Sequence, residues 1–179
     1  MSDFATDNAW SRRKRDQILV PQFYRSYAQD GRYVLIDGGV LSEHLQRRFA
    51  VDTIAQLPNG GAAFIEEKIL RWRGRTYTDY ALETHSCTHR GREKDGWMKY
   101  GLADYLLYAF ECADGSLDAH LIDFQRLRVW FGPRERDFPL FGPLATINAS
   151  MGRLVPITEV AANVPVRRFH LNAKDEVRA

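Results

Sequence analysis

Two short apolar runs, Val51–Leu57 and Ala62–Leu70, flank Pro58-Asn59-Gly60-Gly61. Asn and Gly tolerate positive φ and Pro presets the entry to a turn, so the pattern predicts an antiparallel hairpin. Ala103–Phe110 is the most apolar run and reads as a buried strand, turned by Ala113-Asp114-Gly115-Ser116 into a further strand at Ala119–Phe124. Tyr77–Ser86, the short Tyr33-Val34-Leu35-Ile36 and Arg167–Leu171 read as additional strands, the last at a sheet edge. Helical spacing marks Ala9–Ala28, where Pro21 either breaks the stretch in two or begins a second helix. It also marks Leu41–Phe49, Gln125–Phe131 and a short segment near Ile157–Ala162, while Asp95-Gly96-Trp97 reads as a turn. Beyond Gly132, Pro133, Pro139, Gly142 and Pro143 predict a long loop with an exposed Phe138-Pro139-Leu140-Phe141. These elements predict an α/β fold: a mixed central β-sheet flanked by helices, with the hairpin in its middle.

A chain of 179 residues suits a single domain, 1–179, with its core at about 32–131 and flexible ends at 1–8 and 172–179. Its 45% hydrophobic and 27% charged content is that of an ordered globular protein. The net charge of +2 is too small to indicate nucleic-acid binding, but the arginines cluster, which allows a local basic face. No apolar run reaches membrane-spanning length, so no membrane partner is expected. Met1-Ser2-Asp3-Phe4 is no signal peptide, and Cys87 and Cys112 form no disulfide framework, which points to reduced thiols in a cytoplasm.

The hairpin carries charge where a buried strand should not. Asp52 opens the first run, and Glu66, Glu67 and Lys68 interrupt the second. Alternation puts Glu66 and Lys68 on one face and Glu67 on the other. Such charges cost desolvation energy unless they pair or bind something. Two carboxylates and an ammonium at one point suit a divalent cation with hard oxygen ligands. The competing reading is a solvated strand face with a cross-strand ion pair, worth about 0–1 kcal/mol.

Asp52, followed 14 residues later by Glu66-x-Lys68, resembles the signature of the PD-(D/E)-x-K nuclease superfamily of the restriction-endonuclease-like fold, with Val51 in place of the Pro. The resemblance covers roughly Leu41 to Trp130. The Gly-Trp loop, Ala103-Asp104-Tyr105 and the apolar strand after it are similar to small phage- or plasmid-type members. The resemblance implies a phosphodiester hydrolase, an endonuclease acting on DNA, that uses Mg²⁺ or Mn²⁺. It implies that Asp52 and Glu66 hold the ion, helped by the Glu67 backbone carbonyl, while Lys68 orients the attacking water or stabilises transition-state charge. It further implies that a helix before the Asp sends a Glu toward the metal. Glu43 is the candidate, set against a plain exposed helical Glu. The alternative function is a catalytically silent nucleic-acid-binding or assembly protein on the same fold, and a homodimer stays open in either case.

Other residues join this reading. Glu43 and Gln46 share a helix face, and Gln46 is placed with the nucleic-acid contacts. Arg71-Trp72-Arg73-Gly74-Arg75 offers phosphate contacts and, in Trp72, a stacking ring, or else is only an exposed strand end. Arg12-Arg13-Lys14-Arg15 is a second basic cluster, with a solvated helix face as its simpler reading. Glu83 either adds a metal or water ligand or pairs with an arginine. His85, Cys87 and His89 alternate along one face, which raises zinc, with Cys112 or His120 to complete it. Asp104 reads as a turn or cap residue.

Overall fold

The structure, a computed structural model, describes residues 4–27, 32–35, 45, 49–57, 59–87, 93–142 and 150–173. The strands are β1 (Tyr33–Leu35), β2 (Thr53–Gln56), β3 (Ala62–Leu70), β4 (Asp79–Cys87), β5 (Glu93–Asp95), β6 (Tyr105–Glu111), β7 (Leu117–Asp123), β8 (Leu140–Phe141), β9 (Ser150–Pro156) and β10 (Val166–Leu171). The helices are α1 (Phe4–Lys14), α2 (Arg25–Tyr27), α3 (Trp97–Tyr100), α4 (Phe124–Phe131) and α5 (Ile157–Asn163). The fold is α/β, with a mixed six-stranded sheet in the order β1-β2-β3-β6-β7-β10. Among the described residues its one parallel pairing, β3 with β6, sets Glu66 against Leu106 and Lys68 against Tyr108.

The hairpin forms for the reasons its sequence gives. Gly60 has φ +82°, its N–H donates to Leu57 O at 3.0 Å, and Asn59 Oδ1 accepts from Gly61 N at 3.0 Å. The resulting register pairs Thr53 with Ile65 and Gln56 with Ala62. β6 is covered on both faces, as its continuous apolar run requires. Leu107 and Ala109 join Ile65, Leu117 and Leu121 under Ile18, Leu19, Phe23 and Tyr24 of the N-terminal helix. Leu106, Tyr108 and Phe110 face the opposite core, built with Tyr80, Leu82, Trp97, Phe124, Leu127, Phe131 and Val155. The central sheet therefore lies between a helical layer and a second layer of sheet and helix.

Several elements differ from the sequence reading. The first helix starts at Phe4, and Pro21 does not break it. Residues Arg15–Tyr24 widen to a π-helix around Pro21, which accommodates the ring and the missing N–H. The Tyr77–Ser86 strand forms as β4 but belongs to a separate sheet, in the order β5-β4-β9-β8. The expected long loop instead holds a 3₁₀ turn (Gly132–Asp137) and β8, and β9 follows it. Phe138 is buried there, with ring centroids 5.8 Å from Trp130 and 6.0 Å from Phe131, while Leu140 is exposed as expected. Gly152 makes the β4–β9 pairing possible, because a Cβ at that position would lie 1.9 Å from Leu82 O. The Asp95-Gly96-Trp97 turn leads into the short helix α3. Of the helix expected over Leu41–Phe49, Leu45 and Phe49 are described, both helical, whereas Glu43 and Gln46 lie outside the described residues. Among the described residues no helix is long and apolar enough to cross a membrane.

Candidate active site

Asp52 is fixed where the chain enters β2. Its N–H donates to Ile65 O at 2.8 Å, and its Oδ2 accepts the backbone N–H of Glu67 at 2.9 Å. Thr53, next along, faces the helical layer, so Asp52 shares the opposite face with Glu66 and Lys68. The Glu66 carboxyl meets Asp52 and forms a close ion pair with Lys68. Glu66 is 4% exposed, whereas the Lys68 side chain keeps 33% of its surface. The cluster is thus buried at its acid and open at its ammonium.

Burial pushes Glu66 up to about 8; Lys68 opposes this and Asp52 adds to it. Burial also works against the Lys68 ammonium, but Glu66 and then Asp52 more than offset it and hold Lys68 above its ordinary range. Both shifts fit one arrangement: a permanent cation beside a buried Glu66 carboxyl that retains a proton near neutrality. Glu83, half-buried on β4, approaches from the second sheet, and its charge also raises Lys68. α3 closes the other side. The Trp97 ring lies 5.3 Å from Lys68 Nζ, and the Tyr100 phenol is pushed up by burial, then by Glu66 and Glu83.

Glu67 points the other way, as strand alternation dictates. Its carboxyl accepts from Thr53 Oγ1 at 2.5 Å and from the Tyr24 hydroxyl of the π-helical segment. Burial, then the Asp52 charge, push it up to about 7, against the Thr53 and Tyr24 hydrogen bonds and the Arg15 charge. Its side chain therefore ties the N-terminal helix to β3, and only its backbone reaches the Asp52 side.

The remaining candidates are dispersed. Arg71, Arg73 and Arg75 are exposed beyond the far end of β3, the first of them five residues past Glu66 and so roughly 16 Å along the chain. Arg71 packs 5.8 Å from the Trp10 ring, and the Trp72 N–H donates to Glu111 at 2.9 Å. Of the residues that raised zinc, His85 has Nδ1 and Nε2 engaged by Thr84 Oγ1 and Lys99 Nζ, each at 3.0 Å. Cys112 lies just past β6, and His120 is buried 2.6 Å from the Tyr80 hydroxyl. His89 and the Cys87 side chain lie outside the described residues. Asp104 is the turn residue expected; its Oδ2 accepts from Phe64 N at 2.8 Å and its carbonyl from Phe124 N at 2.9 Å. Trp97, Tyr100, Tyr24 and Thr53 were not singled out by sequence reasoning. A rule that a buried acid needs a hydroxyl or aromatic partner would flag them only once the layers are known.

Among the described residues, no three His, Cys, Asp or Glu side chains gather closely enough to hold a metal ion by themselves. Two acidic side chains do meet, and Glu66, pushed up by burial, retains a proton that a cation would displace. Mg²⁺ is commonly held by one or two carboxylates, with waters and substrate phosphates completing its shell, so Asp52 and Glu66 fit such an ion. Comparison with protein-family models, with curated proteins and with solved structures finds no match.

Proposed function

We propose that the protein is a Mg²⁺- or Mn²⁺-dependent endonuclease of the restriction-endonuclease-like class, acting on DNA in the cytoplasm. The observation that carries this reading is the meeting of Asp52, Glu66 and Lys68 on one face of the β2–β3 hairpin, with the acid buried and the lysine half-open. Asp52 and Glu66 would hold the ion. When bound, it polarises a phosphoryl oxygen and lowers the pKa of a water.

Lys68 does the rest from within the chain. Its ammonium is held by Glu66, backed by the Trp97 face and kept charged by three surrounding acids. It can orient a water or meet the negative charge that grows on the phosphate in the transition state. Glu83 and Tyr100 lie near the same space from the second layer, where the Glu83 charge favours the Lys68 ammonium. The distant arginines would hold phosphates away from the reacting one.

One observation favours the silent alternative: Lys68 already engages the Glu66 carboxyl without any metal. Nicking of supercoiled plasmid separates the two readings. The nuclease nicks with Mg²⁺ and stops with chelator. Nucleic-acid binding without nicking at any divalent ion would establish the silent protein instead.

A further inference from the structure

α3 has two sides. Trp97 and Tyr100 border Lys68 and its acids, whereas Met98 and Lys99 line a cavity of about 470 Å³ between α3 and α4. Met98 and Phe131, both buried, give it an apolar floor, and Val129 stands on its rim with 78% of its surface exposed. Gln125 Nε2 donates to Ala103 O at 2.7 Å, which leaves the amide oxygen and one N–H to a ligand. The wall is rigid, because Arg128 donates to Met98 O at 2.8 Å, to Gly101 O at 2.6 Å and to Lys99 O. Two cations, Lys99 and Arg128, line the cavity with one acid, Glu135, and Lys99 Nζ also pairs with Asp95 at 3.4 Å from outside the cavity.

We propose that this cavity is a subsite for one unpaired base of a single-stranded stretch of substrate, with the adjoining phosphate on Lys99. The proposal rests on the nuclease reading above and deepens it. Its size falls within the roughly 300–1,000 Å³ of small-ligand sites, which admits one nucleotide and excludes a stacked duplex. A base brings apolar faces and a polar edge. Met98, Phe131 and Val129 suit the faces, and Gln125 suits an exocyclic amine on the edge. The strand reaching this point is single, because a base within a duplex is stacked and out of reach. Met98 of the cavity follows Trp97, whose ring lies 5.3 Å from Lys68 Nζ, so the base held here lies within a few nucleotides of the scissile phosphate.

The test uses short fluorescein-labelled single strands, each with one abasic position moved along the sequence, bound in Ca²⁺ and read by anisotropy. Affinity falls roughly tenfold when the base is missing at one position and little elsewhere. Val129→Asp, at an exposed site, weakens the intact strand by a similar factor and abolishes the dependence on position; Lys99→Gln weakens it as well. A flat abasic series, or Val129→Asp and Lys99→Gln both binding like wild type, overturns the subsite. If plasmid is nicked while the series is flat, the subsite falls and the nuclease reading stands. Position dependence without nicking supports the subsite and removes the nuclease.

Discussion

Replacing Glu66 with Gln should change how stability depends on pH, and the sign follows from the site. An unfolded Glu titrates at about 4.5, and the folded one at about 8. The folded state therefore binds more protons than the unfolded state between these values. Its stability is full at low pH and is lost as pH rises toward 8. Each unit of that window costs at most about 1.4 kcal/mol. Water reaching the half-open Lys68 side reduces this, which leaves about 2 kcal/mol between pH 6 and pH 8. In a chain of 179 residues that is roughly 4–8 °C in melting temperature. The amide of Glu66→Gln has no proton to lose, so the variant's melting temperature should rise relative to wild type by this amount across the window. Comparing the two proteins cancels Glu67, pushed up to about 7, and His120, lowered by burial, since both titrate in each. The assay is a thermal melt of both proteins in matched buffers from pH 6 to pH 8. Parallel curves would mean that Glu66 is ionised throughout, and would refute the account of a buried carboxyl that keeps a proton.

Mg²⁺ should raise the melting temperature of wild type more at pH 8 than at pH 6, because binding must displace that proton, and Asp52→Ala should lose the effect. Scanning fluorimetry checks both, and an indifferent wild type counts against the metal site. Tyr24→Phe removes a hydrogen bond to the Glu67 carboxyl and should cost about 1–3 kcal/mol in urea unfolding, with activity retained. Gly152→Ala should prevent the β4–β9 pairing and yield little folded protein, as measured by soluble expression and circular dichroism.

The hairpin was legible because its signals are local. Asn59-Gly60 specifies the turn, and two-residue alternation puts Glu66 and Lys68 on one face, where the structure has them. The buried runs at Tyr105–Glu111 and Leu117–Asp123 were legible for a similar reason, being long and bounded by the turn at Gly115. The second sheet was not. Alternation in β4 says that a strand exists but not which strand it joins, and β8 and β9 sit among Pro and Gly residues that read as loop. α3 has four residues, too few to show a helical period. The partners it delivers, Trp97 and Tyr100, meet Lys68 only through long-range packing. Pro21 misled because a π-helical turn absorbs it, and nothing in the sequence distinguishes that outcome from a break.

The central claim is that Lys68 performs chemistry at the Asp52–Glu66 pair, and it is tested by measuring cleavage and binding together. Plasmid nicking in Mg²⁺ and gel-shift affinity in Ca²⁺ are compared for wild type and Lys68→Ala at one salt concentration. Cleavage should fall on the order of a hundredfold or more, since one lost donor at the reacting phosphate costs that much. Affinity should change little, because phosphate contacts are spread over many cations. Lys68→Arg should not restore cleavage, as a planar guanidinium does not replace a compact ammonium beside Trp97 and Glu66. Undiminished cleavage by Lys68→Ala would contradict the account.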